Sequence, residues 1–529
     1  MKRIGVMLDC SRNAVRNVES LKRFIDCLAI MGYNTLELYT EDTYTVEGEP
    51  YFGYLRGRYS KDEIRQIDAY AKEKGIELIP CIQTLAHFTC LDRAVYRDII
   101  DTDDILLIDE PKTYAFIEGI FKSIADAFTS RQINIGMDEA HMVGKGKFFD
   151  CFGPADRHEI LVRHLHKVAK IAEKYGFTCH MWSDMFFRLA SGGEYYAPNA
   201  SISEEIKAMI PPNVDLCYWD YYHDDKNFYD AMFHAHKQFH CDTWFAGGAW
   251  TWHGFAPLSG FSLKTMKPAV ESARAQEIEN ILFTMWGDNG AECAAFSHLH
   301  TLYTLRRYVD GVFDEEQIAQ EFSELFRIDY KDFATLDIPN LPKADARQEL
   351  CIGLVKPLLY ADPFMGIFDK NIEKEKLPAY GEYARILQDA GERAGEYSYL
   401  FETLAALCSV LELKADLGVR TRKAYLAGDR ETLAQTAKDY PEIICRLEVF
   451  HRAFCHQWHK ENKPNGWEIQ DARLGGLMQR LKTCHDRLTA YLSGELERIE
   501  ELEEQILPWS GSAYIHCNDY AGIISRSPL

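Results

Sequence analysis

Apolar residues in this chain fall first into short β-rich runs and then, past its midpoint, at helical spacing. The runs lie at 4–10, 35–40, 77–82, 133–139, 178–184, 214–221, 244–250 and 281–288, each bounded by turn residues or by a helical pattern. Between them, Val18, Leu21, Phe24, Ile25 and Leu28, then Ile64, Ile67, Tyr70 and Ala71, then Phe116, Ile120, Phe121 and Ile124, each trace one helix face. A fourth such face carries Ile160, Leu161, Leu165, Val168, Ala169 and Ala172, and Gly32, Gly75 and Gly176 stand where helix stops are expected. Strict alternation of strand and helix demands parallel strands, because each crossover returns the chain to the same sheet end. Eight such units predict an α/β fold, a (β/α)8 TIM barrel over residues 1–310.

From about residue 309 the strand signal fades, so residues 311–529 are expected to form an α-helical C-terminal region. Helical patterns cover 315–326, 382–407, 415–427, 430–454, 474–492 and 494–506, and Ile338-Pro339-Asn340-Leu341-Pro342 reads as a linker. The acidic run 495–504 is expected to be a solvated helix face.

In a barrel the strand C-termini build the site. Here those ends read Asp9 and Arg12, Glu41 and Asp42, His87, Asp138 and Glu139, Trp182 and Asp184, Trp219 and Tyr221, Trp250, and Trp286 and Asp288. Aromatics at one strand end are ordinary rim packing; polar or aromatic side chains at all eight ends together point to an enzyme site.

Charge narrows the partners. With 59 basic against 81 acidic residues, net −22, the chain has no surplus of cations for nucleic acid or an anionic membrane. No apolar run approaches the ~18 residues of a membrane span. Met-Lys-Arg leads directly into the first strand, where Asp9 interrupts the apolar run, so no secretion signal is read. The 15 cysteines include no Cys-x-x-Cys pair, and Cys10, Cys81, Cys179 and Cys217 fall in core strands, so a reduced, cytoplasmic setting is expected.

Other motifs carry less. Asp138-Glu139-Ala140-His141 spells a helicase box, but the phosphate loop such enzymes need is missing, and Gly144-Lys145-Gly146-Lys147 lacks its spacing and hydroxyl. His158, His164 and His166, and likewise His234, His236 and His240, are spaced so that neighbours point in different directions; no metal and no cofactor are expected.

Paired carboxylates among tryptophans suit glycoside chemistry, since indole faces stack on sugar C–H faces while acids handle protons. Ordinary retaining glycosidases set their two carboxyls about 5–5.5 Å apart across the scissile bond, usually from different strands. Adjacent strand residues point oppositely, so Asp138 and Glu139 can serve one site only where the strand ends and the chain turns. That arrangement suits assistance by a group on the sugar itself.

At this point the sequence resembles glycoside hydrolase family 20, the β-N-acetylhexosaminidases, whose signature is Gly-x-Asp-Glu at the end of the fourth barrel strand; here it reads Gly136-Met137-Asp138-Glu139. The resemblance extends to Asp9 through Arg12, to Gln83-Thr84-Leu85-Ala86-His87 and to Trp286-Gly287-Asp288. It looks closest to intracellular bacterial members without a leading domain, to which the stretch from Lys356 through Pro363 is also similar.

The resemblance implies an exo-acting enzyme that removes terminal β-linked GlcNAc or GalNAc from oligosaccharides. Glu139 would be general acid and then base, its protonated form favoured by its neighbour's charge and apolar walls, and Asp138 would orient the acetamido group and stabilise an oxazolinium intermediate. A tyrosine of the sixth strand, Tyr221 or else Tyr218, would hold the acetamido oxygen. Trp182, Trp250 and Trp286 would box the sugar, with Trp219 a weaker candidate; Arg12 and Asp288 would grip ring hydroxyls, and His87 and His141 would orient the carboxylates. Many members carry Glu where this chain has Asp288, one methylene shorter, which bears on reach to O4 or O6 and on selectivity between the two sugars.

Two rivals remain open: a two-carboxylate β-glycosidase using Asp184, Asp220 or Asp288 as second acid, and a non-catalytic sugar-binding barrel. The helical region offers apolar surface enough for a homodimer.

Overall fold

The computed structural model describes residues 1–340, 354–373, 375, 377–512, 515 and 517–527. Eight strands, β1 (Arg3–Asp9), β2 (Thr35–Thr40), β3 (Glu77–Ile82), β4 (Gln132–Asn134), β5 (Thr178–Trp182), β6 (Val214–Asp220), β7 (Thr243–Gly248) and β8 (Asn280–Met285), are hydrogen-bonded in chain order. All pairs are parallel, and β8 closes on β1 with Ile4 opposite Ile281 and Val6 opposite Phe283. The expected (β/α)8 barrel is therefore present.

Local chemistry explains the crossovers. Asn17 caps the helix Val18–Met31 by accepting the Ser20 N–H, and Gly32 ends it in the left-handed conformation. Ser60 and Glu63 form a capping box on the helix Lys61–Glu73. Inside the barrel, Glu37 and His180 pair at 2.8 Å, fully buried, and the His180 ring stacks on Trp244 at 4.0 Å.

Contacts divide the chain into two compact units. The first comprises Met1–Ala249, Phe261–Met285 and Thr301–Ile318; the second comprises Trp250–Gly260, Trp286–His300 and Ala319–Leu529. In the second, the helices Tyr380–Gly391, Ser398–Lys414 and Asp439–Glu461 bury Leu387, Phe401, Leu404, Leu447 and Phe450 against one another.

Three helix expectations are corrected. The pattern over 382–407 is two helices separated by a 3-10 turn, Gly395–Tyr397. The pattern over 430–454 is the helices Arg430–Ala437 and Asp439–Glu461, the second starting where Pro441 is tolerated, in a first turn that needs no amide donor. Of 494–506 only Glu500–Glu503 is helical, since Gly494 stops the preceding helix at φ 86° and a run of like charges follows. The expected linker is no linker as far as Asn340: Thr335–Asn340 is a 3-10 helix with Pro339 and Asn340 buried, while Leu341 and Pro342 lie outside the described residues. Among the described residues, no helix is long and apolar enough to cross a membrane.

Candidate active site

The strand that leads to the signature is shorter than the apolar run over 133–139. β4 stops at Asn134, and the chain beyond it turns through positive φ at Gly136 (68°), Met137 (69°) and Glu139 (51°). Only glycine fits at 136: a Cβ there would sit 2.1 Å from Gln83 Oε1. Asp138 and Glu139 thus leave the strand before they occur, which frees adjacent residues from pointing to opposite faces.

What holds this turn is a polar network from neighbouring strand ends. Gln83, beyond β3, accepts the Met137 N–H at 3.2 Å and donates to Asp138 Oδ1 at 3.0 Å. The Thr84 hydroxyl donates to the Ile135 carbonyl at 2.8 Å. His87 Nε2 stands 3.2 Å from Asp138 Oδ2 and 3.9 Å from Glu139 Oε2. From the other side, buried Asp184 accepts the Glu139 N–H at 3.2 Å, which helps to fix the left-handed residue that carries the second acid.

The network continues to β1. Gln83 also donates to the Tyr39 hydroxyl at 3.0 Å, which donates to Glu41 at 3.2 Å. The Arg12 guanidinium lies 3.2 Å from Asp9, 3.5 Å from Glu41 and 4.7 Å from the Tyr39 ring centre. Asp9 in turn accepts the Ser11 amide and hydroxyl, each at 2.8 Å, so Arg12 is presented from a braced turn.

Electrostatics separate the acids. Burial disfavours charge on both His87 and Asp138, but their mutual attraction and hydrogen bond prevail: His87 is pushed up to about 9 and Asp138 is held below the usual carboxylate range. Burial, then the Asp138 charge, pushes Asp184 up to about 7. The Asp138 side chain is 14% exposed and that of Glu139 is 49% exposed, so apolar walls do not enclose Glu139 as the sequence suggested.

Trp182 ends β5 and is fully buried. On β6, Tyr218 is buried among Phe233, His236 and Phe245, with its hydroxyl on Asp220 at 2.6 Å, so it faces the helix layer. Tyr221 lies past the strand end, its ring 5.5 Å from Trp219 in a near-parallel stack. The Tyr195 ring lies tilted against Trp219 at 4.7 Å, and its hydroxyl bonds both the Trp219 amide and carbonyl; nothing in the pattern around residues 192–203 marked it. His141, expected to orient the carboxylates, is exposed.

Trp250, Trp286 and Asp288 belong to the second unit, following β7 and β8 along the chain. There the Trp250 and Trp252 rings stack at 4.2 Å, and Thr251 donates to the Trp286 carbonyl at 2.7 Å.

Two of the rival acids are otherwise engaged. Asp220 is buried and takes bonds from Tyr218, His223 and the amides of Tyr222 and His223. Asp184 is also fully buried, on the Glu139 backbone. His164 and His236 are core histidines pushed down to about 4 and about 3 by burial, held by the Thr84 carbonyl and by Ser183 with the Met232 carbonyl. Among the described residues, the one group whose spacing could hold a cation is His87, Asp138 and Glu139, the site itself.

Two family profiles match the chain: "Glycosyl hydrolase family 20, catalytic domain" over residues 3–227, and "Glycoside Hydrolase 20C C-terminal domain" over residues 331–517. Among curated proteins, the chain is 30% identical to a beta-hexosaminidase of Vibrio furnissii over 176 residues, 26% of this chain and 28% of that protein. It is 25% identical to a beta-hexosaminidase of Akkermansia muciniphila over 263 residues, 41% and 53% of the two. The chain thus spans about half or less of these relatives' lengths. A solved GH20 exo beta-N-acetylglucosaminidase of Vibrio harveyi, in complex with N-acetylglucosamine, aligns at TM-score 0.48 and 16% identity, over 64% of this chain and 58% of that one.

Proposed function

The chain belongs to glycoside hydrolase family 20, and from that premise we propose that it is an exo-acting β-N-acetylhexosaminidase, releasing terminal non-reducing GlcNAc or GalNAc from oligosaccharides with retention. The observation that carries this reading is the contrast between two adjacent carboxyls. Asp138 is kept ionised by His87 and Gln83, while Glu139 next to it keeps half its side chain open to solvent.

An ionised Asp138 suits a partner that gains positive charge. It would accept the acetamido N–H, align the acetamido oxygen for attack on the anomeric carbon, and offset the charge of the resulting oxazolinium. Glu139 would give its proton to the departing glycosidic oxygen and then take one from the water that opens the ring. Tyr221 would hold the acetamido oxygen; the burial of Tyr218 against the helix layer supports this choice of register. Trp182 and Trp219, with Trp250 and Trp286, would supply the aromatic faces, and Arg12 and Asp288 the grip on ring hydroxyls. His87 acts through the carboxylates.

The exposed thiols of Cys90, Cys151 and Cys445 support a reducing, cytoplasmic setting. A net charge of −22 supports a neutral glycan as substrate, with neither nucleic acid nor membrane as partner. A homodimer is checkable by light scattering.

The test is nitrophenol release from the aryl β-glycosides of N-acetylglucosamine, N-acetylgalactosamine and glucose. Cleavage of the acetamido sugars alone, lost in Asp138→Asn and Glu139→Gln, is expected. Comparable cleavage of the plain glucoside would overturn substrate assistance and direct attention to a second-strand nucleophile; cleavage of none would favour a sugar-binding barrel.

A further inference from the structure

Inside the second unit, the segment that follows β8 is pinned by charges from the helical region. Immediately after Asp288 the backbone passes through positive φ at Asn289 (57°), Gly290 (133°) and Ala291 (53°). Two of these are not glycines, so the conformation costs free energy unless its surroundings impose it. The helical region supplies that imposition. Lys356 Nζ donates to the Asn289 carbonyl at 2.6 Å and pairs with Glu292 at 2.9 Å; the Lys356 and Glu292 side chains are 0% and 1% exposed. Arg473 Nη1 reaches the same Asn289 carbonyl at 2.6 Å and the same Glu292 oxygen at 2.7 Å. Gln470 donates to the Gly290 carbonyl at 3.0 Å.

A cluster of two cations on one buried carboxylate is a costly way to gain stability, because desolvation cancels most of the attraction. Here all three charges converge on residues 289–292, one to four positions beyond the aspartate that the proposed function assigns to the sugar hydroxyls. We propose that Lys356, Glu292 and Arg473 are positioning residues for Asp288, so that the helical C-terminal region sets the grip on the terminal sugar. This inference rests on the reading of Asp288 as a hydroxyl contact. It gives the helical half a role in selectivity between GlcNAc and GalNAc, the two sugars that differ in one hydroxyl's orientation.

The experiment compares the full-length protein with Asp288→Asn, Lys356→Met, Arg473→Gln, the triple Lys356→Met/Glu292→Met/Arg473→Gln and the pair Asp288→Asn/Lys356→Met. For each it records KM and kcat on the aryl β-glycosides of GlcNAc and GalNAc, and the thermal midpoint. Lys356→Met is expected to lower kcat/KM by roughly 10- to 100-fold, as a misplaced contact does, with the KM-to-kcat split and the shift in sugar ratio of Asp288→Asn. Added to Asp288→Asn, it should cost little more, since both changes remove one interaction. The triple variant Lys356→Met/Glu292→Met/Arg473→Gln removes every charge of the cluster and strands none, so it should recover the midpoint but neither the KM nor the sugar ratio. If midpoint and kinetics recover together, the cluster is merely structural and the inference fails. Should Lys356→Met not fold, Arg473→Gln, whose parent side chain is 13% exposed, carries the same comparison. Normal kinetics in the folded cluster variants with impaired Asp288→Asn would overturn the positioning role alone; normal kinetics in Asp288→Asn would overturn the reading beneath it.

Discussion

The turn after β4 and the segment after β8 use the same backbone device and brace it differently. Both run through three closely spaced positive-φ residues beside a carboxylate, at 136, 137 and 139 and at 289–291. The first is held by Gln83, His87 and Asp184, groups that share protons and charge with the acids themselves. The second is held by Lys356, Glu292 and Arg473, an ion cluster whose charges compensate one another. The brace of the first turn therefore responds to pH in the neutral range. The brace of the second relies on buried charge that has to stay paired.

The strongest way to sharpen that contrast is to neutralise the acids. Glu139→Gln and Asp138→Asn are expected to lower kcat by about 10²- to 10⁴-fold, the usual worth of a positioned proton donor or charge; the thermal midpoint of Glu139→Gln should stay near that of the parent, while that of Asp138→Asn falls because His87 loses its counter-charge. Next, Gly136→Ala strains φ and drives a Cβ into Gln83. A loss of about 100-fold in kcat/KM is expected, as for a displaced catalytic group; unchanged kinetics would mean that the turn adapts.

Titration of His87 gives the third. Its folded value, about 9, lies above the 6.5 of a free side chain, so its contribution to stability is complete below pH 6.5 and is lost as pH rises towards 9. Chemical denaturation across that window should show a fall of at most about 3 kcal/mol, flattened in His87→Gln. The smallest effect on kcat belongs to Asp184. Its folded value, about 7, stands above the ordinary 3.8, so the folded state holds the extra proton and stability declines from pH 3.8 to 7. Asp184→Asn keeps an acceptor for the Glu139 amide and removes that slope, with kcat at pH 7 within about threefold of the parent; Asp184→Leu, with no acceptor, should lose several-fold more.

Much of this was readable from the chain. Six strands end within two residues of where their apolar runs place them; β8 stops three short, at Met285, before the Trp-Gly-Asp of its tip. β4 was overextended because Ile135 and Met137 continue an apolar pattern, while the conformation is dictated by Gly136 and by the bonds from Gln83. Asp138 and Glu139 stood out because they are adjacent in sequence, and His87 because it follows the apolar run of β3; the structure brings the three together. Tyr39, Tyr195 and the bracing role of Asp184 were not, since each acts through a partner 24 to 45 positions away. Nor could spacing show that Lys356 pairs with Glu292.

Residues 250–260 and 286–300 group with the helical unit although along the chain they interrupt the barrel unit, the first between β7 and β8 and the second after β8. Asn518 bonds the Trp252 carbonyl and Asn340 the carbonyls of Ala256 and Pro257, as Lys356 and Arg473 bond that of Asn289. A chimera that exchanges the helical half at one crossover near residue 310 would therefore inherit two inserts from one parent and their anchors from the other. Recombination that respects this fold needs paired breakpoints around each insert, so preference for the terminal sugar should be inherited with the helical half together with its two loops.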